Sequence, residues 1–260
     1  MTLKINGLSS GYRQRTVLQQ VSLPSIEAGL LVALIGPNGV GKSTLVRSLA
    51  GLQPAAGQVQ LAGADLLKLS PRERQHNVAY LPQTLPQATS LVVYEMLLAA
   101  AHLGAEYAQE QIETAITRVA QSLGITALML RRLSELSGGQ RQMVGLAQVL
   151  VRQAPLLLLD EPTSALDLRW QLNVLEVVRR HVQESQAIAL VASHDLNLAL
   201  RFADQVIMLA PGGECRMGKP LEVVTAQSLR ACYGVEGRVE TCSQGFPVVL
   251  VDGVADQQRQ

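Results

Sequence analysis

The sequence predicts an α/β fold, a parallel sheet flanked by helices, and three observations predict it. Short apolar runs with β-branched residues alternate with longer helical stretches. Leu30–Ile35, Leu156–Leu159 and Ile188–Ala192 are apolar almost throughout, as strands buried on both faces must be. Each of these runs stops abruptly, at Gly36-Pro37, Asp160-Glu161 and Ser193-His194. Parallel sheets bind ligands at the carboxyl ends of their strands, so these three endings are where chemistry is expected.

The elements follow in order. Val17–Leu23 and Val59–Leu61 are expected as strands of an antiparallel flank, and Leu30–Ile35 as a central parallel strand leading into a helix over Thr44–Leu52. Between Gln87 and Ala154 the texture becomes helical, with helices expected at Glu95–Leu103, Ala108–Leu123 and Gly139–Arg152. Ile112, Ile116, Val119 and Leu123 fall near the helix period, a core-facing stripe. After Pro211 glycines and short strands return, and Arg238–Thr241 with Pro247–Val251 suits a hairpin turned at Ser243-Gln244-Gly245. The terminal Gln257–Gln260 is expected to fray. The organisation this gives is one domain over 1–260: a nucleotide-binding core from 1–86 and 155–235, a helical subdomain at 87–154, and a C-terminal hairpin and tail at 236–260.

Composition narrows the class. Of 260 residues 48% are hydrophobic and 17% charged, which excludes a disordered chain and suits one large domain or a core with a subdomain. A net charge of +1, with lysine only at positions 4, 42, 68 and 219, gives no basic field, so no nucleic-acid partner is expected. No apolar run approaches the ~18 residues of a membrane span. The first residues carry no apolar leader, so export is not expected. Cys215, Cys232 and Cys242 form no Cys-x-x-Cys pair and read as reduced thiols rather than a disulfide or zinc framework.

The strongest local motif is Gly36-Pro37-Asn38-Gly39-Val40-Gly41-Lys42-Ser43. It fits the G-x-x-x-x-G-K-[ST] phosphate loop and lies between an expected strand and an expected helix. Its glycines let backbone amides turn around a polyanion at a helix N-terminus. Lys42 is placed for the β- and γ-phosphates, and the Ser43 hydroxyl is a hard oxygen ligand suited to Mg²⁺. The second motif is the run Leu156–Leu159 followed by Asp160 and Glu161. Asp160 suits Mg²⁺, and Glu161 is placed to polarise a water. The third, Leu136-Ser137-Gly138-Gly139-Gln140, is another glycine-rich helix start and a second anion site. With two such surfaces and only one lysine-bearing cradle, the economical arrangement is a head-to-tail pair of chains, each covering the other's nucleotide.

With these motifs the chain resembles the ATP-binding cassette (ABC) ATPases, whose signature is LSGGQ. The family's other motifs occur in order: Tyr12 where an aromatic stacks on adenine, Gln83 as the Q-loop glutamine, Asp167 in the D-loop Ser164–Asp167, and His194 as the switch histidine. The resemblance runs from Tyr12 to His194. It implies a P-loop NTPase fold with a RecA-like parallel-sheet core, an antiparallel β flank and an inserted helical subdomain. It also implies ATP and Mg²⁺ as ligands and ATP hydrolysis as the activity. Gly36, Pro37, Asn38, Gly39, Val40, Gly41, Lys42, Ser43 and Thr44 would hold the phosphates, and Ser43, Gln83 and Asp160 would serve Mg²⁺. Glu161, His194, Gln83 and Lys42 would be catalytic. Ser137, Gly138, Gly139, Gln140 and Asp167 would complete the site of a homodimer.

The stretch Asp160–Leu168 with Trp170-Gln171, the Ser193–Asn197 stretch, and the tail residues Gly218–Pro220, Val223–Thr225 and Tyr233-Gly234-Val235 are similar to the importer ATPases for iron-siderophores, haem and vitamin B12. Within that group the resemblance leans to ferric siderophores, although Ala99–Ala101 stands where the group has a Gly-Arg pair. It implies docking on integral-membrane permease subunits at the cytoplasmic face of a bacterial inner membrane, with a periplasmic binding protein as indirect partner. The alternatives are an exporter half, a soluble ABC protein of repair or translation, and a nucleotide sensor without turnover. The first lacks a span in this chain, the second a coiled coil or a second cassette, and the third is at odds with Glu161 and His194.

Other polar groups have plainer readings. His76, His102 and His181 lack metal-ligand spacing, and Arg131-Arg132 and Arg179-Arg180 read as solvated helix faces. Arg141 and Arg152 flank the signature helix as possible charge balance. Arg13 and Arg15, next to Tyr12, face either phosphate or solvent.

Overall fold

The computed structural model describes residues 1–12, 15–85, 90–103, 108–211 and 213–255. Arg13 and the tail Gln257–Gln260 therefore lie outside the described residues. Twelve strands are present among them: β1 (Thr2–Tyr12), β2 (Arg15–Glu27), β3 (Leu31–Ile35), β4 (Ala55–Leu61), β5 (Ala64–Asp65), β6 (Val78–Leu81), β7 (Leu156–Asp160), β8 (Ile188–Ala192), β9 (Gln205–Leu209), β10 (Cys215–Gly218), β11 (Val235–Thr241) and β12 (Pro247–Val254). The helices that matter below are α1 (Lys42–Leu49), α2 (Pro71–Asn77), α3 (Val93–His102), α4 (Gln109–Ser122), α5 (Gly138–Val151), α6 (Leu168–Ser185) and α7 (Leu196–Phe202).

The central sheet runs β10-β9-β3-β8-β7-β6. Its five strands from β9 to β6 are parallel, and β10 closes the edge antiparallel to β9. The apolar runs follow from burial on both faces. Leu31, Ala33 and Ile35 of β3 join one core with α3 to α7, whereas Val32 and Leu34 join a second with α1 and the flanking sheet. Strands β7 and β8 divide in the same way, because successive side chains leave a strand on opposite faces. The flank is the antiparallel sheet β2-β1-β4-β5, and β11 and β12 form a separate hairpin.

Several elements differ in extent from the sequence expectation. The stretch Val17–Leu23 lies within the longer β2, and Val59–Leu61 is the end of β4. The helix expected at Thr44–Leu52 starts earlier, at Lys42, because Gly41 (φ 114°) already serves as its N-cap, and it stops before Gly51 (φ 73°). The C-terminal hairpin extends to β11 and β12 and is docked by the Val249 amide donating to Asn197 Oδ1 on α7 (2.7 Å). Strands β1, β5, β6, β9 and β10 and helices α2 and α7 are additions to the expected elements, and α6 is the helix on which Arg179-Arg180 was expected. Among the described residues no helix is long and apolar enough to cross a membrane.

Candidate nucleotide site

Strand order brings the candidate residues together. Strands β3, β8, β7 and β6 are neighbours, and at their carboxyl ends stand the phosphate loop, His194, Asp160-Glu161 and Gln83. Between them and the flanking sheet is a cleft of about 900 Å³, lined by Tyr12, Asn38, Gly39, Gly41, Lys42, Ser43, Thr44, Gln83, Glu161 and His194, with Arg15 and Val17.

The loop's conformation depends on glycine at two places. At Gly36 (φ 147°) a Cβ would lie 2.4 Å from the Leu209 carbonyl oxygen, and at Gly41 (φ 114°) it would lie 2.8 Å from Leu18 Cδ2. The start of α1 has no side-chain cap, so its first amides and partial positive charge face the cleft. Lys42, only 6% exposed, donates from Nζ to the carbonyl oxygens of Gly36 (2.7 Å) and Pro37 (3.1 Å). Burial lowers its pKa, opposed by the nearby charges of Glu161 and Asp160. Gly36, Pro37 and Val40 do not line this cleft. Pro37 and Val40 border a smaller hollow of about 340 Å³ behind the loop, with Pro211 and Gly213.

Asp160 is fully buried. Its Oδ1 accepts from Ser43 Oγ at 2.9 Å, and its Oδ2 has no hydrogen-bond partner. Burial raises its pKa, although the Ser43 hydroxyl opposes the rise. A buried carboxylate oxygen without a partner, beside a hydroxyl, is a donor set of hard oxygens that fits Mg²⁺ with phosphate oxygens completing the shell. Gln83, expected with this pair, instead donates from Nε2 to Glu161 Oε2 (3.1 Å).

Glu161 has a left-handed backbone (φ 53°), a conformation that costs a non-glycine residue energy and clusters at active sites. It is fixed by its own amide donating to Ala192 O (3.1 Å) and by its carbonyl accepting from Ser164 N (3.3 Å) and Ser164 Oγ (3.1 Å). The carboxylate is thereby held with Oε2 at 3.1 Å from Gln83 Nε2 and 3.6 Å from His194 Nδ1. A carboxylate, an amide and an imidazole thus converge opposite Lys42, an arrangement able to orient a water against a phosphoryl group.

Tyr12 stands on the cleft rim, 45% exposed, which suits a stacking platform. Arg47 on α1 was not singled out in the sequence. The Tyr80 and Tyr12 hydroxyls both act to raise its pKa.

The signature residues lie elsewhere. Ser137 Oγ accepts from the Gln140 amide (3.2 Å), and Gln140 Oε1 accepts from the Ser137 amide (2.9 Å). This reciprocal cap starts α5 and leaves the Gly138 and Gly139 amides without an intrahelical acceptor. None of Ser137, Gly138, Gly139 and Gln140 lines the cleft of its own chain. Asp167 caps α6 by accepting from the Trp170 amide (3.0 Å), and the neighbouring Ala165 carbonyl lies 3.3 Å from where a Cβ on Gly139 would be. Buried Gln142 joins α5 to the Glu161 turn by donating to Pro162 O (3.3 Å), a link no motif announces. Arg141 and Arg152 are structural: Arg141 donates to Leu136 O (2.8 Å) and Arg152 to Val78 O (2.9 Å).

The sequence profile described as "ABC transporter" matches residues 18–164, more than half of the chain. The chain belongs to the ABC transporter family. Among curated relatives, this ABC transporter family member is 38% identical over 250 residues to a hemin import ATP-binding protein of Thermobifida fusca, covering 94% of this chain and 86% of that one. It is 36% identical over 243 residues to a cobalamin import ATP-binding protein of Halobacterium salinarum. That match covers 93% of this chain but 61% of the relative, so the chain spans under two thirds of that protein's length. A solved structure of the ATP-binding subunit of an ABC transporter superposes with a TM-score of 0.76 at 27% identity, covering 84% of this chain and 90% of that one.

Proposed function

We propose that the chain is the ATP-hydrolysing subunit of a bacterial ABC importer, and that the cargo is a metal-centred chelate of the iron-siderophore, haem or cobalamin type. The observation that carries the hydrolytic reading is the strained Glu161, held between Gln83 and His194 beside the buried Asp160–Ser43 pair. A structural cap would need neither the left-handed backbone nor two polar side chains on one carboxylate oxygen. Tyr12 stacks on adenine, the amides of Gly39, Gly41, Lys42, Ser43 and Thr44 hold the phosphates, and Lys42 turns from Gly36 and Pro37 to the β- and γ-phosphates. Ser43 and Asp160 would hold Mg²⁺, and Gln83, which donates to Glu161 here, would be the further candidate ligand. When bound, Mg²⁺ neutralises charge on the phosphate oxygens. Glu161 orients the water and accepts its proton, and His194 contacts the γ-phosphate. Catalysis of this kind is positioning and charge stabilisation.

In this reading the chain works as a homodimer in which Ser137, Gly138 and Gly139 of one protomer close the cleft of the other. It docks on permease subunits at the cytoplasmic face of the membrane, and a binding protein delivers the cargo. The importers named among its relatives support the cargo class. The test is reconstitution in liposomes with the permease and binding protein encoded beside its gene. Hydrolysis is expected to rise when the binding protein carries a ferric siderophore, hemin or cobalamin. A rate unmoved by all three, but raised by an unrelated solute, would refute the cargo class.

A further inference from the structure

The C-terminal hairpin has no part in the chemistry above, yet it grips the helix that follows His194. Upstream, the histidine is anchored to the sheet. Buried Ser193 donates its amide to Leu34 O on β3 (3.0 Å), and its hydroxyl accepts from the Asp195 amide (3.0 Å). Downstream, the chain enters α7 at once, with Asp195 as N-cap accepting from the Leu198 amide (2.9 Å). The aim of His194 therefore depends on where α7 sits. Ala199, Leu200 and Phe202 bury the inner face of this helix. Apolar packing is non-directional, so it holds α7 near the sheet and leaves its rotation and slide to other contacts.

Those contacts come from the hairpin. Asn197 and Arg201 are four residues apart and share the outer face of α7. Asn197 Oδ1 accepts from the Val249 amide of β12 (2.7 Å), and the Arg201 guanidinium lies 4.2 Å from the centre of the Phe246 ring. The same guanidinium is 5.6 Å from the ring of buried Phe202, so it bridges the hairpin turn to the core. Phe246 is set on that turn by its carbonyl accepting from the Cys242 amide (2.9 Å). A two-stranded hairpin has edge amides without a strand partner, and here the Val249 amide is satisfied by a helix side chain. Both contacts are directional, one a hydrogen bond and the other a cation over a ring. They sit one helical turn apart, which fixes α7 both about and along its axis. We propose that Asn197 and Phe246 are positioning residues for His194, and that the hairpin thereby holds the imidazole at its 3.6 Å spacing from Glu161 Oε2. This inference rests on the reading of His194 as a contact of the γ-phosphate.

Single-turnover phosphate release by the full-length chain tests it. Asn197→Ala and Phe246→Leu each remove one contact on the outer face, and neither residue lines the cleft. Release is expected to slow about fivefold in either variant, the factor that one lost hydrogen bond or cation–π contact supports, and further in the pair. Phe246→Tyr keeps the ring and should stay within about twofold of wild type. Affinity for ADP, which has no γ-phosphate, should be unchanged. In a His194→Ala background, Asn197→Ala should slow release no further, because the side chain it aims is gone. A hairpin that only supports the fold gives the opposite pattern, a similar further slowing in that background or ADP affinity lost in step with turnover, and either result overturns the proposal. A His194→Ala chain that releases phosphate normally would overturn the reading of His194 itself, and this inference with it. Slow release by His194→Ala beside wild-type release by the Asn197→Ala/Phe246→Leu pair would overturn this inference alone.

Discussion

Glu161 and Asp160 show how much of this site is built against local stability. The left-handed Glu161 costs of order 1–2 kcal/mol and is retained because Ala192 and Ser164 fix its backbone from both sides. Glu161→Gln preserves that geometry and removes only the base. ATP affinity is therefore expected to stay near wild type while single-turnover phosphate release falls at least ~100-fold, and near-normal release would refute the base assignment. Asp160 is the complementary case. Its native pKa is raised by burial, so between the ordinary aspartate value and the native one the folded state holds a proton that the unfolded state has lost. Stability contributed by this group accordingly falls as pH rises through that window. Asp160→Asn removes the penalty and still accepts from Ser43. In the absence of Mg²⁺ and nucleotide its unfolding midpoint at pH 8 is expected to rise by about 2–4 °C, while Mg²⁺-dependent hydrolysis is lost. A lower midpoint would show that the charge is compensated by Lys42 and Arg47.

Elements were legible where burial is simple. Strands β3, β7 and β8 are covered on both faces and read as apolar runs, and α3 to α5 follow the helix period. Strand β1 was hidden for a physical reason. Its buried residues Leu3, Ile5, Leu8 and Ser10 lose the two-residue period at an irregularity between Ile5 and Leu8, where Gly7 is left-handed. Strand β2 has a similar break at the left-handed Gln20. The extent of helix α6 was obscured by its valines, Val174, Val177, Val178 and Val182, which are core-facing but β-branched. Within the site, residues inside motifs were found. Arg47 and Gln142 were not, because each acts on a group distant in sequence.

The hollow shared by α4 and α6 carries a pH dependence of its own. Burial lowers the His181 pKa, which Glu184 opposes. His181 lines a hollow of about 530 Å³ with Glu110 and Arg118 of α4 and Glu184 of α6. The unfolded chain binds this proton first, so stability is intact at neutral pH and drains as pH falls below about 6.5 toward the native value. His181→Gln is expected to flatten that loss, differing from wild type by roughly 2–4 °C in midpoint at pH 5. Parallel profiles for the two proteins would mean that His181 takes up its proton equally in the folded and unfolded states.

For the whole molecule the decisive fact is that the signature loop does not line the cleft of its own chain. In the proposed homodimer, the two glycine amides left over by the capping box would meet the partner's nucleotide, and the arrangement would be symmetric, because what one protomer gives its partner it also receives. This makes mixing diagnostic. Lys42→Ala removes the cradle's cation and keeps the signature, whereas Ser137→Arg blocks the signature and keeps the cradle. Each homodimer then lacks two working sites. A mixed dimer has one site with both defects and one with neither. Equal mixing of the two inactive proteins is therefore expected to restore hydrolysis to roughly a quarter of wild type, half the dimers being mixed with one good site each. A site completed within a single chain gives no recovery at any ratio, so a mixture as inactive as its components would exclude the shared site and the ATP-driven dimer with it.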